Sequence, residues 1–171
     1  MAEIAGSLPL SSPEPISPAH DLTQFRCGKP ELDGWLRTRA LKSEGRSART
    51  YVVCRDNGVV GYYCISTGSV ELSAMPSKLK RAQGQPKQVP VAIIGRLARD
   101  ERYAGTGLGR DLLQDALRRV LAAAQIIGVR AVLVHALDAD AARFWAAHEF
   151  LESPVGSGQF FLPIETIADA L

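Results

Sequence analysis

The sequence is poor in the features that mark membrane, secreted and metal-dependent proteins. Its apolar runs, such as Val120–Ala124, are far shorter than the roughly 20 residues of a membrane span, so no transmembrane helix is predicted. The first residues lack the basic and apolar regions of a secretory signal. The three cysteines are an odd, widely spaced set, which excludes a disulfide framework and a Cys-x-x-Cys metal site. We therefore expect free thiols in a reducing cytoplasm and no bound metal.

The length and composition fit one globular domain. The chain has 171 residues and a mass of 18.4 kDa, with 46% hydrophobic and 22% charged residues. A chain of this size is expected to form a single domain over residues 1–171. Four prolines lie between residues 6 and 18, so this segment is predicted to form an extended edge or a loose arm, and residues 1–15 are assigned to a loose N-terminal arm.

Charge is distributed unevenly along the chain, although the net charge is only +2. Residues 26–87 hold twelve basic and five acidic side chains, whereas residues 138–171 hold one basic and six acidic side chains. A basic middle of this size can attract a polyanion, which makes contact with nucleic acid a hypothesis. The alternative is a solvated surface of mixed charge.

Hydrophobic periodicity and turn signals predict the element order β-α-β-β-β-α-β-α-β. The Asn57-Gly58 pair between two β-rich runs predicts a hairpin turn. The stretch Ser77–Gln88 is predicted to be a solvated loop, because it has four bases, no acid, a glycine and a proline. The predicted helices run from Pro30 to Gly45, from Gly107 to Ile127 and over Ala141–His148, and the later strands are Pro90–Leu97, Ala131–Leu137 and Phe160–Leu162.

A glycine-rich loop joins the strand that ends near Leu97 to the long helix that begins near Gly107. Its glycines alternate at positions 105, 107 and 109, directly before the first helical turn. Glycine lets the backbone approach a ligand, and the unpaired N–H groups at a helix N-terminus attract anions. The loop therefore favours a phosphate or pyrophosphate ligand; the alternative is that it only shapes a tight connection. It lacks Gly-Lys-Ser/Thr, which excludes a Walker loop, and its glycine spacing differs from the dinucleotide fingerprint.

The run Arg102-x-x-Gly105-x-Gly107 resembles the R/Q-x-x-G-x-G/A motif of the GCN5-related N-acetyltransferase (GNAT) family. The segments Gly95–Ala98 and Val134–Asp138 add to the likeness, which covers roughly residues 15–163 and extends to the toxins of the TacT/AtaT type from type II toxin–antitoxin systems. The resemblance implies an α/β (α+β) fold. We expect a single GNAT-like domain whose mixed, mostly antiparallel sheet has a V-shaped splay and is flanked by helices.

The resemblance also implies a function. It predicts an acetyl-CoA-dependent N-acetyltransferase that acetylates the α-amine of aminoacyl-tRNA and inhibits translation, with a ribbon-helix-helix antitoxin as partner, a homodimeric state and no metal. In the family, amides of the glycine loop hold the pyrophosphate, and the preceding strand meets the acetyl and pantetheine arm. The implied coenzyme-binding residues are Leu97, Ala98, Arg99, Arg102, Ala104, Gly105, Thr106, Gly107, Leu108, Gly109 and Arg110.

The likeness fails at one catalytic position. The family motif F-Y-x-x-x-G-F is represented by Phe144–Phe150, where Trp145 replaces the tyrosine regarded as general acid for the leaving thiolate, and Glu149 replaces the glycine. An indole N–H donates a hydrogen bond but does not release its proton at physiological pH. Losing a positioned acid costs about 10²–10⁴ in rate. A thiol with a pKa near ~8.5 is a tolerable leaving group, so a slow acetyltransferase is physically possible. His148 could replace the acid as proton donor, but the preferred interpretation is a histidine with a structural or solvent role at the end of the helix.

The predicted tRNA contacts lie on basic side chains of the first helix, of the basic loop and of one strand, because Lys and Arg supply phosphate contacts. Other functions fit the same fold. The acceptor could be a small-molecule or protein amine, or the chain could be a relic that binds CoA or an antitoxin without catalysis. The predicted tRNA contacts are Arg37, Lys42, Lys80, Arg81 and Arg96.

Overall fold

The computed structural model describes residues 9–81, 84–156 and 158–170. Within these ranges the chain forms seven strands of a mostly antiparallel sheet and six α-helices. The strands are β1 (Glu14–Pro15), β2 (Arg49–Arg55), β3 (Gly58–Glu71), β4 (Gln88–Arg99), β5 (Ala131–His135), β6 (Leu151–Glu152) and β7 (Gln159–Pro163). The helices are α1 (Pro30–Thr38), α2 (Ala40–Ser43), α3 (Ser77–Lys80), α4 (Leu108–Ala123), α5 (Ala139–Ala147) and α6 (Ile164–Ala170). The predicted α/β fold class is confirmed.

The chain divides into two compact units. The first comprises the residues up to Ser66 together with Arg96–Ala116, and the second comprises Thr67–Gly95 and Leu117–Leu171. The strands β3 and β4 and the helix α4 each continue from one unit into the other. In the described ranges no helix combines the length and apolar character of a membrane span.

In the first unit, β1, β2 and β3 pair antiparallel in that order. The turn between β2 and β3 holds Asp56 and Asn57 at φ values of 54° and 79°, as a two-residue type I′ hairpin turn requires. The hairpin predicted from the Asn-Gly pair is therefore confirmed. Leu36 of α1, Tyr62 of β3 and Ala98 of β4 are buried in the core of this unit.

Of the two forms predicted for the proline-rich N-terminal segment, an extended edge or a loose arm, the described part takes the extended edge. The Ser11 N–H donates to the Cys54 carbonyl at 2.8 Å, and the Cys54 N–H donates to Ser11 Oγ at 2.9 Å. Glu14–Pro15 then form β1 at the edge of β2. Proline is tolerated at a sheet edge because the missing N–H faces away from the ladder, so a proline-rich segment need not be loose. Residues 1–8 lie outside the described ranges.

In the second unit, β4 pairs in parallel with β5, and β7 lies between β5 and β6 in antiparallel pairing. The described β4–β5 ladder runs only from Val91↔Ala131 to Ile93↔Leu133, although both strands continue. On its other edge β5 pairs with β7 over its whole length. The core of the unit includes Leu79, Leu133 and Phe161.

The predicted first helix is interrupted, and the predicted basic loop is partly helical. α1 ends at Thr38 and α2 begins at Ala40, and the Thr38 hydroxyl donates to the Gly34 carbonyl at 2.7 Å. Such side-chain bonds compete with the regular helix near its end. The loop prediction for Ser77–Gln88 is wrong at α3, where Leu79 is fully buried. One leucine among four bases is too weak a pattern to predict a helix.

The long helix α4 is shorter than predicted at both ends. It begins at Leu108, because Gly107 has a φ of 86° and lies outside helical geometry. It ends at Ala123, where Ile126 N–H donates to the Ala123 carbonyl and tightens the turn. Ile127, the last residue of the predicted helix, lies beyond α4 and is 51% exposed. The elements β6 and α6 were not predicted, because two and seven residues carry little periodicity.

Candidate active site

The glycine loop lies between β4 and α4 and presents a row of unpaired backbone amides. Gly105 and Gly107 have φ values of 75° and 86°, a conformation that residues with a Cβ rarely adopt. Among the described residues, four N–H groups in and after the loop have no hydrogen-bond acceptor: those of Gly105, Gly107, Gly109 and Arg110. These amides head a helix of 16 residues, so its dipole adds to their attraction for an anion.

The amides between these open ones are used within the loop. The Ala104 N–H donates to the Glu101 carbonyl, and the Thr106 N–H donates to the Tyr103 carbonyl, both at 3.2 Å. The Thr106 hydroxyl also donates to the Tyr103 carbonyl at 2.6 Å. A Cβ built on Gly105 would meet nothing within 4 Å, so the outer side of the loop is open. The loop is thus closed on itself, while the amides of Gly105, Gly107, Gly109 and Arg110 have no acceptor among the described residues.

Asp100 fixes the start of the loop from a buried position. Its side chain is 1% exposed, and Oδ1 accepts from the backbone N–H of Arg102 at 3.0 Å and from its Nε at 2.9 Å. Oδ2 accepts from Arg102 Nη2 and from the Arg26 N–H, both at 3.1 Å. Burial alone would raise the pKa of Asp100, but these hydrogen bonds and the Arg102 charge outweigh it and lower the pKa. The carboxylate therefore stays ionised and holds the turn.

The two arginines predicted to bind phosphate have different surroundings. The Arg102 guanidinium is bound to Asp100, so it supports the loop. The Arg110 side chain is 62% exposed and forms a long ion pair of 3.6 Å with Asp111. Arg110 Nη2 lies 3.5 Å from the position that a Cβ on Gly107 would take. Arg110 therefore borders the open amides.

The end of β4 supplies the other predicted coenzyme contacts in the first unit. Ala98 is buried in the core, whereas Leu97 and Arg99 on either side of it are half-buried. This alternation follows the strand geometry and leaves the two flanking side chains on the other face. Arg96 lies with its guanidinium carbon 4.5 Å from the centre of the Trp35 ring, and Trp35 stacks on Tyr62. Arg96 is thus held flat by a cation–π contact.

The other predicted tRNA contacts are exposed. Arg37 lies on α1, where its Nη1 donates to the Phe25 carbonyl at 2.9 Å, and Lys42 lies on α2. These two belong to the first unit together with Arg96. Lys80 ends α3 and Arg81 follows it in the second unit.

Trp145 lies on α5 in the second unit and is 6% exposed. Its ring centre is 5.0 Å from those of Phe144 and Phe150, so the indole is part of an aromatic cluster. Asp138 caps this helix by accepting from the Ala141 N–H at 2.9 Å. The position where the family has glycine, Glu149, has a φ of 70°. The family's glycine is explained by that left-handed conformation.

Three of the four tyrosine hydroxyls have hydrogen-bond partners within the first unit. The Tyr62 hydroxyl donates to the Leu32 carbonyl at 2.7 Å, and the Tyr63 hydroxyl donates to Asp115. The Tyr103 hydroxyl accepts from Arg55 Nη1 at 3.2 Å. His148 packs against the Phe144 ring at 4.6 Å between ring centres, at the C-terminal end of α5.

One group of side chains has the composition of a metal site. Potential ligand atoms of Glu14, His20 and Cys54 lie within 4.8 Å of one another. The Ser17 N–H donates to His20 Nδ1 at 3.0 Å, which places the ring proton on Nε2, where it is donated to Glu14 at 2.8 Å. Burial first, and then the Glu14 charge, raises the pKa of the Cys54 thiol to about 11. In this state the thiol and Nε2 both carry protons, so a metal ion would have to displace both protons to bind.

Two site features were missed from the sequence. Asp100 could have been found as a capping residue, because an aspartate directly before a turn of acidic and basic residues is a typical N-cap. Arg26 could not have been found, because it lies 74 positions from the aspartate it contacts.

Comparison with known proteins defines the class to which this strand–loop–helix site belongs. The sequence profile described as the Acetyltransferase (GNAT) family matches residues 16–150. The chain therefore belongs to the GNAT acetyltransferase family.

Individual members of the family that are similar to this chain include toxins. A tRNA-acetylating toxin of Mycobacterium tuberculosis is 44% identical over 145 residues, which cover 84% of this chain and 86% of that protein. The solved structure of AtaT complexed with acetyl-methionyl-tRNAfMet matches with a TM-score of 0.87 and 28% identity over 95% of this chain and 99% of that chain. A tyrosine-to-phenylalanine mutant of the AtaT toxin, bound to the C-terminus of the antitoxin AtaR and to acetyl-CoA, matches with a TM-score of 0.81 and 25% identity over 95% and 98%.

Proposed function

We propose that this protein is a toxin that transfers the acetyl group of acetyl-CoA to the α-amine of an aminoacyl-tRNA and thereby inhibits translation. The observation that carries the proposal is the row of unpaired amides at Gly105, Gly107, Gly109 and Arg110 at the head of α4. It is supported by membership of the GNAT family and by a relative named as a tRNA-acetylating toxin.

The loop supplies the coenzyme site in this proposal. The open amides and Arg110 bind the diphosphate of acetyl-CoA, because backbone N–H groups and a helix dipole stabilise negative charge. Asp100 and Arg102 keep the loop in shape through their mutual hydrogen bonds. The backbone of Leu97–Arg99 meets the acetyl and pantetheine arm, as the family resemblance implies.

The chemistry is attack of a neutral amine on a thioester. The C–N bond forms and the C–S bond breaks. The nitrogen, which becomes positively charged as it attacks, loses a proton to solvent, and the leaving thiolate takes up a proton from solvent. An α-amine with a pKa of about 7.7–8.0 is partly neutral at pH 7–8, so a strong base is not essential. Trp145 cannot protonate the thiolate, so we expect turnover to be slower by about 10²–10⁴ than with a positioned acid.

The acceptor is assigned from charge and from the relatives. The exposed bases Arg37, Lys42, Lys80 and Arg81, with Arg96, are proposed to contact tRNA phosphates. The partner proteins follow the same reasoning: AtaT is bound to an antitoxin in a solved structure, and we propose a ribbon-helix-helix antitoxin and a homodimer for this chain. Because its substrate is aminoacyl-tRNA, we place the protein in the cytoplasm.

An acetylation assay with labelled acetyl-CoA tests the proposal. The purified protein is incubated separately with aminoacyl-tRNA, with free amino acids and with a peptide that has a free N-terminus. We expect label only on aminoacyl-tRNA. Label on the small molecule or the peptide alone would assign another amine, and binding of acetyl-CoA without transfer to any acceptor would indicate a catalytically inactive relic.

A further inference from the structure

A polar cavity of about 470 Å³ lies beside the glycine loop in the first unit and is not explained by the coenzyme site. Its lining residues come from three places: the segment Thr23–Arg26, Arg37 of α1, and Asp100–Arg102 at the end of β4. We call it the arginine cavity, because Arg26, Arg37 and Arg102 all line it.

The walls of the arginine cavity are fixed by hydrogen bonds. The Arg26 N–H donates to Asp100 Oδ2 at 3.1 Å, and the Glu101 N–H donates to the Arg26 carbonyl at 2.9 Å. Arg37 Nη1 donates to the Phe25 carbonyl at 2.9 Å, which ties the segment to α1. A site with walls held in this way is formed before the ligand arrives, so little ordering cost opposes binding.

The charges in the arginine cavity favour an anion. The carboxylate of Asp100 is occupied by Arg102 and by the Arg26 N–H, and the Glu101 side chain is exposed. The guanidinium of Arg26 has no hydrogen bond or ion pair among the described residues, and Arg37 uses only Nη1. Two guanidinium groups with free N–H donors match the oxygens of a phosphate group.

The surroundings distinguish between the possible sources of that phosphate. Exposed bases continue along the chain from Arg37 through Arg39, Lys42 and Arg46. A single coenzyme phosphate needs no such continuation, whereas a nucleic-acid backbone does. Arg102 is also only three residues from the first open amide at Gly105, a separation of at most about 11 Å along the chain. A phosphate in the cavity would therefore lie close to the proposed coenzyme site.

We propose that the arginine cavity binds a phosphodiester group near the 3′ end of the acceptor tRNA, with Arg26 as its principal ligand. The inference rests on the proposed function, because it takes aminoacyl-tRNA as the acceptor. In this proposal Arg26 contacts the sugar–phosphate backbone of the tRNA and no base. Its contribution to affinity is therefore the same for every tRNA.

The test measures the binding of labelled, deacylated tRNA by fluorescence anisotropy at several KCl concentrations. Arg26→Ala keeps the fold, because both hydrogen bonds of Arg26 to the loop are made by its backbone. We expect about a tenfold loss of affinity near 0.1 M salt and a fall of about 0.7–0.9 in the slope of log K against log[KCl]. Arg26→Lys should keep the slope and lose part of the affinity, because the charge remains but the bidentate geometry does not.

Arg118→Ala is the matched control, because Arg118 is an exposed arginine of α4 that lies outside the arginine cavity. It should leave the affinity and the slope unchanged. The proposal is overturned if Arg26→Ala behaves like this control, if wild-type protein does not bind tRNA, or if the substitution weakens acetyl-CoA binding in calorimetry and leaves tRNA binding intact. If tRNA binding depends on Arg26 but no acetyl group is transferred to aminoacyl-tRNA, the inference holds and the proposed function fails.

Discussion

Gly105 and Gly156 provide a pair of substitutions that separates the stability of the glycine loop from its binding function. Both glycines have a φ of 75°, and a Cβ built on either would meet nothing within 4 Å. Gly105 lies in the loop before α4, whereas Gly156 lies in the turn between β6 and β7. An alanine at either position therefore has the same local backbone strain and no clash.

The expected loss of stability is equal for the two variants. A left-handed conformation costs an alanine about 1–2 kcal/mol, and the lower entropy of alanine in the unfolded chain offsets about 0.5–1 kcal/mol of that. The net destabilisation is about 1 kcal/mol, or about 2–4 °C in Tm for a chain of this size. Thermal unfolding followed by circular dichroism measures it.

The expected effect on acetyl-CoA binding differs between the variants. In Gly105→Ala the methyl group enters the open space beside the unpaired amides, and strain turns those amides away from the ligand. Losing one hydrogen bond to a charged group costs about 1.5–3 kcal/mol, so the Kd should rise about 10- to 100-fold. Gly156→Ala should leave the Kd unchanged. Equal affinity of the two variants in calorimetry would refute the assignment of the loop.

Three further substitutions test other parts of the site. Trp145→Tyr should raise kcat by at least about tenfold, because it restores an ionisable hydroxyl at the family's acid position; a labelled-transfer assay measures it. Glu149→Gly should stabilise the protein by about 0.5–1 kcal/mol, because its φ of 70° suits glycine, as denaturant unfolding will show. Asp100→Asn should weaken acetyl-CoA binding and remove the part of the stability that depends on this ionised carboxylate.

Each of these three substitutions has its own control. Trp145→Phe removes the same indole without adding a hydroxyl, so equal rates for the phenylalanine and tyrosine variants would exclude a role for the acid. For Glu149, an alanine variant that stabilises as much as glycine would show that φ is not the cause. The pKa of Asp100 is lowered, so its stabilising effect is complete above about pH 3.9 and is lost as the pH falls further. The stability difference between wild type and Asp100→Asn must therefore shrink in acid, and a constant difference down to pH 2 would contradict the reasoning.

Local signals in the sequence were sufficient for the parts of the fold that depend on neighbouring residues. The hairpin turn at Asp56 and Asn57 and the cap of α5 by Asp138 follow from backbone and side-chain preferences within four positions. The glycine loop was also predictable from local signals, because its positive φ values and open amides depend on the glycines at positions 105 and 107 and not on distant contacts.

The rest depends on contacts between distant positions. The N-terminal arm is ordered by hydrogen bonds from Ser11 to Cys54, and no pattern near residue 11 contains that information. Likewise Asp100 and Arg26 meet across 74 positions, so the arginine cavity could not be predicted from spacing. The helix α4 ends at Ala123 for a local reason, but Ile126 and Ile127 fit the helical spacing of apolar residues. The sequence pattern therefore does not reveal where the helix ends.

Backbone amide chemical shifts during titration with acetyl-CoA test the central claim most directly. The relevant signals belong to Gly105, Gly107 and Gly109, whose amides are proposed to bind the diphosphate. We predict large shifts of these three glycine signals with acetyl-CoA and small ones with acetyl-pantetheine, which has the thioester but no diphosphate. Saturable acetyl-CoA binding that leaves the three signals unmoved would contradict the account.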